Sequence, residues 1–173
     1  MLKWILGIVG VLVGLIILIV IIGLLIPKTH TASRRVRYGQ PADRVWEAIS
    51  RFEDHARWRP DVKRIERLED RDGHEVWREV HTRGDSLTME VVELEPPTRM
   101  VTRVVDNRQF GGTWTWEVEP LEGTCCALTI TENGEIYNPI FRFVARFIMG
   151  YHATIDAFHQ ALGGELGEEV TLD

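Results

Sequence analysis

The side chains able to do chemistry are few and mostly scattered. His152, Asp156 and His159 recur at i, i+4 and i+7, one stripe of a helix. Along that helix the two histidines stand about 10.5 Å apart, too far to share one metal ion. The stripe therefore reads as a solvated face. His55, His74 and His81 have no partner at a ligating spacing. Cys125 and Cys126 are the two cysteines, and they are adjacent. On a strand they point to opposite faces, which argues against pairing with each other and offers no zinc spacing. No metalloprotease, nucleophile-elbow or phosphate-loop pattern occurs. Ser50, Ser86 and Cys125 have no neighbour in sequence that would activate a nucleophile. No metal, no cofactor and no catalytic residue is expected from these patterns. The best acid–base suspects are Glu79, Arg78 and His81. Trp77, Glu79 and His81 share one face of a strand, and Val76, Arg78 and Val80 share the other. Periodicity leaves open which face is inward.

Apolar side chains with strand spacing are more plentiful. Trp114, Trp116 and Val118 share a face, as do Cys126, Leu128 and Ile130, and as do Met89 and Val91. Such rows serve either as plain core or as the wall of an apolar ligand site, which needs few polar groups.

Composition narrows the partners. The net charge is −6. Lys3, Lys28, Arg34, Arg35 and Arg37 precede Tyr38, so the rest of the chain carries the other 15 basic residues against all 26 acidic ones. An acidic domain is a poor binder of nucleic acid.

The elements that must position these residues begin with an apolar run. Trp4 to Ile26 carries no charge. Its roughly 34 Å as a helix suffices to cross a bilayer. The run ends in Ile26-Pro27-Lys28 with no small-residue cleavage site, so residues 1–27 read as an uncleaved transmembrane helix. Four basic residues follow within a short distance, which places the larger domain in the cytoplasm. Gly10 and Gly14 form a GxxxG face able to pack a second copy, so a homodimer is one expectation.

Residues 28–33 read as a linker, 34–164 as the folded domain and 165–173 as an acidic tail. Ser33–Tyr38 predicts a strand. Pro41–Ile49 and Phe52–Trp58 predict two short helices, the second ending before Pro60. Strands follow at Val62–Leu68, Glu75–Thr82, Leu87–Leu94, Met100–Val105, Thr113–Val118 and Cys126–Glu132, the last ended by Asn133-Gly134. One long helix, Asn138–Leu162, closes the pattern. Asn138 caps it, Pro139 starts it and Gly163-Gly164 ends it. Phe141, Val144, Ile148, Tyr151, Ile155, Phe158 and Leu162 form its seam. Ile140, Phe143 and Phe147 add apolar bulk beside Arg142 and Arg146 in its first half. That half predicts either a wider buried face or a patch that meets membrane or a partner, with Arg142, Phe143, Arg146 and Phe147 as its residues.

Several motifs in this order resemble the START and polyketide-cyclase (SRPBCC) superfamily. They are Pro41-Ala42-Asp43-Arg44-Val45-Trp46, Phe52-Glu53-Asp54, Trp58-Arg59-Pro60-Asp61-Val62, Glu95-Pro96-Pro97, Gly112-Thr113-Trp114-Thr115-Trp116, Gly123-Thr124 and Asn138-Pro139. The resemblance spans about residues 31–165. It implies an α+β helix-grip fold, a curved antiparallel sheet of about seven strands around a long C-terminal helix. It also implies a cavity between sheet and helix for an apolar small molecule. The cavity candidates are Trp58, Trp77, Glu79, Val91, Trp114, Trp116, Leu128, Phe141, Val144 and Ile148. The function expected is membrane-anchored binding or transport of a lipid, isoprenoid or polyketide-like molecule. A cyclase- or aromatase-like enzyme and a dimerising interaction module are the alternatives.

Overall fold

A computed structural model describes residues 1–172. Helix α1 (Leu2–Leu25) leads directly into β1 (Thr29–Tyr38). Helix α2 (Ala42–Ser50), a 3-10 turn (Phe52–Asp54) and α3 (His55–Trp58) follow. Then come β2 (Val62–Arg67), β3 (Val76–His81), β4 (Ser86–Glu95), β5 (Arg99–Val105), β6 (Phe110–Pro120) and β7 (Cys126–Ile136). The chain ends with α4 (Pro139–Val144), a π-helical turn (Ala145–Met149) and α5 (Ala153–Leu166). One seven-stranded antiparallel sheet has the order β1-β7-β6-β5-β4-β3-β2. This is the helix-grip α+β fold.

The core lies between the concave face of the sheet and the helices. Val36 and Tyr38 of β1, Trp116 and Val118 of β6, and Leu128 and Ile130 of β7 are buried with Val45 and Ile49 of α2 and Ile155, Phe158 and Leu162 of α5. Alternation along each strand supplies this face and leaves the other to charged pairs such as Arg35–Glu119 and Arg99–Glu117.

Three boundaries differ from the sequence expectation. Strand β1 starts at Thr29, within the stretch expected to be a linker, because Thr29–Ser33 pairs with Thr131–Glu135 of an extended β7. Strand β7 runs through Asn133-Gly134 instead of turning there. Gly134 is a close approach: a Cβ there would lie 2.4 Å from the His30 ring. The expected tail is also part of the fold. Helix α5 passes Gly163-Gly164 and ends at Gly167, which takes the left-handed conformation. A Cβ on Gly163 would meet Val170 Cγ2 at 2.3 Å, so the last residues fold back over it. Glu168 then accepts from the Gly39 amide at 2.9 Å, and Val170 and Leu172 pack on the core.

The largest correction concerns the single helix expected over Asn138–Leu162. Asn138 does cap it, accepting from the Ile140 amide at 2.8 Å. The backbone then widens into the π turn, and Gly150 (φ 80°) breaks it. The apolar seam is continuous in sequence but not in space. Only its second half, on α5, faces the sheet. The first half packs against α1. There Arg142, one of the expected patch residues, is buried: its Nε donates to Ile136 O (2.9 Å), Nη2 to Tyr137 O (2.8 Å) and Nη1 to Gly23 O and Ile26 O (both 3.2 Å). It ties the end of α1 to the folded domain by satisfying carbonyls that a helix end leaves unpaired.

Candidate functional site: an aromatic box beside a buried carboxylate

The strand pairings fix which residues share one end of the sheet. Thr29 lies opposite Glu135, Phe110 opposite Ile136, Thr88 opposite Val105 and Val62 opposite His81. This is also the end where α1 joins β1 and β7 leads to α4. The chain from α2 to α3 returns along the concave face toward it, and Thr82 there donates to Asp61 O at 2.9 Å.

Near that end the inward row of β3 is Trp77, Glu79 and His81. Glu79 is 3% exposed. Its Oε1 accepts from Arg59 Nη1 at 2.6 Å and lies 3.9 Å from His55 Nδ1; its Oε2 lies 3.4 Å from His81 Nε2. Arg59 also donates to Asp61 at 2.9 Å, and His81 Nδ1 stands 3.1 Å from Asp85. Burial alone would raise the Glu79 carboxyl. The facing His55 and His81 and the Arg59 charge outweigh it and hold the group well below the usual carboxylate range. At 3.9 Å the His55 contact is electrostatic and not a hydrogen bond. The bond to Glu79, then the one to Asp85, raises His81 against partial burial. The carboxylate is thus a fixed anion inside the domain.

Beside it stands a box of rings around Phe158 of α5. Trp58, His55, Trp116 and Trp114 have ring centres 5.4, 6.1, 6.3 and 6.4 Å from that of Phe158. The Arg59 guanidinium lies 5.5 Å over the Phe158 ring, and Phe52 stacks on Trp77 at 5.4 Å. His55 Nε2 donates to Ile49 O at 3.1 Å. His55 Nδ1 and Trp116 Nε1 are buried without a hydrogen-bond partner among the described residues. Unpaired buried polar atoms are costly, and each calls for a bound water, a ligand or a chemical role to account for it.

Two concavities open nearby. A shallow groove of about 600 Å³ lies between α3 and α5, with Arg57, Trp58, Gln160 and Glu165 on its walls. A narrower pocket of about 240 Å³ enters beneath α2, between Trp46, Phe52, Val91, Pro96 and Met100. Phe158 itself is buried in the core cluster and lines neither of them.

The expected cavity residues separate accordingly. Trp58, Trp77, Glu79, Trp114 and Trp116 come together around the box, with Leu128 in the same core cluster. Val91 lies at the narrower pocket. Phe141, Val144 and Ile148 are elsewhere. Phe141 stacks on Phe110 at 5.7 Å, and Ile148 is 70% exposed. The π turn and Gly150 have turned their half of the seam away from the concave face, to the end of the sheet beside α1. Arg78 faces outward to Glu66 and Thr88. Gly10 and Gly14 lie on the bare part of α1, with no neighbour within 4 Å. Sequence reasoning missed His55, Arg59 and Phe158 as site residues. Arg59 lay inside the Trp58–Val62 motif, which was the available signal.

Residues 29–163 match the family described as polyketide cyclase / dehydrase and lipid transport. The chain belongs to this family. Its domain is of the SRPBCC type. Solved structures agree in fold. The Zhui aromatase/cyclase of a Streptomyces species superposes with a TM-score of 0.68 at 18% identity, covering 80% of this chain and 94% of that one. A START superfamily protein of Mycobacterium smegmatis gives 0.63 at 19%, covering 80% and 97%. Norcoclaurine synthase of Thalictrum flavum, a point mutant with a transition-state analogue, gives 0.62 at 12%, covering 80% and 94%. No curated protein matches the chain in sequence.

Proposed function

We propose that this chain binds a hydrophobic, ring-bearing small molecule in the aromatic box, and that α1 holds the domain on a membrane, the ligand's source. The observation that carries this reading is the box itself: rings on β6 and α3 surround one side chain, Phe158, beside two unpaired polar atoms and a fixed anion. An empty cavity of about 300 Å³ would cost about 7 kcal/mol. Phe158 avoids that cost by occupying the seat, and a ligand ring takes its place when α5 moves. Trp116 Nε1–H is then free to donate to a ligand oxygen. Helix α5 is separated from α4 by the Gly150 break, which lets it shift without carrying α4 along.

The reading favours a single-pass anchor over a removable leader. Residues 3–25 form a helix long and apolar enough to cross a membrane. Arg142 and the Gly23–Pro139 contact build the end of that helix into the domain. The positive charge that follows α1 favours the cytoplasmic side for the domain.

A titration tests the binding. Full chain in lipid nanodiscs receives a fluorescent polycyclic ligand, with energy transfer from tryptophan as the readout and empty nanodiscs as the control. Saturable transfer with a Kd that Trp116→Leu raises supports the reading; transfer that grows without saturation, as from a dye merely dissolved in the bilayer, refutes it. A cyclase or dehydratase reading is favoured by His81 alone, which carries a raised pKa at the rim between Glu79 and Asp85. It predicts that a bound polyketide chain leaves lighter by one water; the binding reading predicts release unchanged.

A further inference from the structure

Large apolar side chains outside α1 crowd one short stretch. Phe147, Ile148 and Met149 of the π turn are 61%, 70% and 58% exposed, and Ile140 and Phe141 of α4 are exposed beside them. This is a solvent-side cost for a free surface. Its depth relative to α1 is fixed by contacts. Trp4 to Leu18 stay exposed along α1, whereas Ile19, Val20, Ile22, Gly23 and Ile26 are buried or half-buried, and α1 packs on α4. The approach is close: a Cβ on Gly23 would lie 2.0 Å from the carbonyl oxygen of Pro139. Arg142 locks the pair through Gly23 O and Ile26 O. Ile19 to Ile26 spans about 10 Å of helix axis. Helix α4 therefore lies alongside the last two turns of the apolar helix, not beyond its end.

We propose that residues 139–150 insert into the same leaflet as the end of α1 and form a lipid-facing lip beside it. The inference rests on the anchor reading above. A lipid bilayer is the occupant because the patch is continuous with the apolar surface of α1 and shares its depth. Charge agrees. Lys28, Arg108 and Arg146 are exposed near it, placed for lipid phosphates. Lys28 O pairs with the Ile136 amide, and Gln109 O, next to Arg108, with that of Tyr137. The β3–β4 and β5–β6 turns share this end of the sheet, and Glu79 and His81 of β3 lie near it.

Photo-crosslinking of the full chain tests this. Benzoylphenylalanine replaces Phe147, Ile148, Leu12 or Gln160 in turn, in vesicles of phosphatidylcholine and phosphatidylglycerol, and adducts are read by mass spectrometry. Positions 147 and 148 should form lipid adducts in yields near that of Leu12 and about tenfold above Gln160, which lies on the exposed side of α5. Lipid adducts at Leu12 without any at 147 and 148 overturn the insertion and leave the anchor standing. No lipid adduct at any position overturns both. Adducts from 147 and 148 to a second copy of the chain overturn the lipid assignment.

Discussion

Phe158→Ala is the perturbation that addresses the box most directly. The ring removed has a volume on the order of 100 Å³, so an unrelaxed hole costs about 2.4 kcal/mol at about 24 cal/mol per Å³. The lost transfer free energy of a buried aromatic adds about 1.5–3 kcal/mol. Phe158 is 5% exposed and ringed on its sides by Trp58, His55, Trp114 and Trp116, which leaves little room for collapse. The expected loss is about 4–5 kcal/mol, a fall in Tm of about 10–15 °C for a domain of this size. The hole should also take a ligand. Indole at about 100 times its Kd should return about 2.7 kcal/mol. The assay is differential scanning calorimetry of the full chain in detergent, with and without indole. A loss below about 2 kcal/mol, or a Tm that indole leaves unmoved, would refute the claim that Phe158 fills a ring-shaped seat.

Three further expectations follow from the same geometry. Burial pushes His159 down to about 4, with Tyr38 Oη 2.8 Å from its Nδ1. Between its ordinary 6.5 and 4 the unfolded chain binds more protons, so stability should fall by about 3 kcal/mol as pH drops through that window, and His159→Leu should flatten the fall in urea titrations at each pH. Glu79 is depressed, so its stabilisation is present above its unfolded value of 4.5 and is lost as pH falls below it; Glu79→Gln should remove that acid loss and cost about 3 kcal/mol at neutral pH, read by urea unfolding at pH 7 and below. Gly23→Val should drive α1 off Pro139, and trypsin should then cut after Lys28 about tenfold faster; an unchanged cleavage rate would show that the close contact fixes nothing.

The strands were legible because each alternates apolar and polar residues between turn-forming residues, whereas the pairing of β1 with β7 is long-range and lies in no local pattern. Trp114, Trp116 and Leu128 could be placed on an inner face from period alone. Glu79 was legible only as an alternative, since Trp77-Arg78-Glu79 reads equally well with either face inward. What decides it is the return of Phe52, His55 and Arg59 across the concave face, a long-range fact that no local pattern carries. The long helix was misread for the opposite reason. Its seam keeps a helical period from Phe141 to Leu162, and a single Gly150 in a helical pattern is ordinarily tolerated. Here the π turn before it and the pull of Arg142 toward Gly23 and Ile26 divide the segment. Phe158 went unnoticed because a seam phenylalanine looks the same whether it packs a core or plugs a seat.

In the function proposed above, the grip holds a hydrophobic molecule drawn from the membrane. Native mass spectrometry of the full chain, released from its own membranes in mild detergent, tests it most directly. A bound apolar molecule of a few hundred daltons is expected, depleted by Trp116→Leu or Glu79→Gln. A bare chain from every membrane, with no added apolar compound retained, would contradict it.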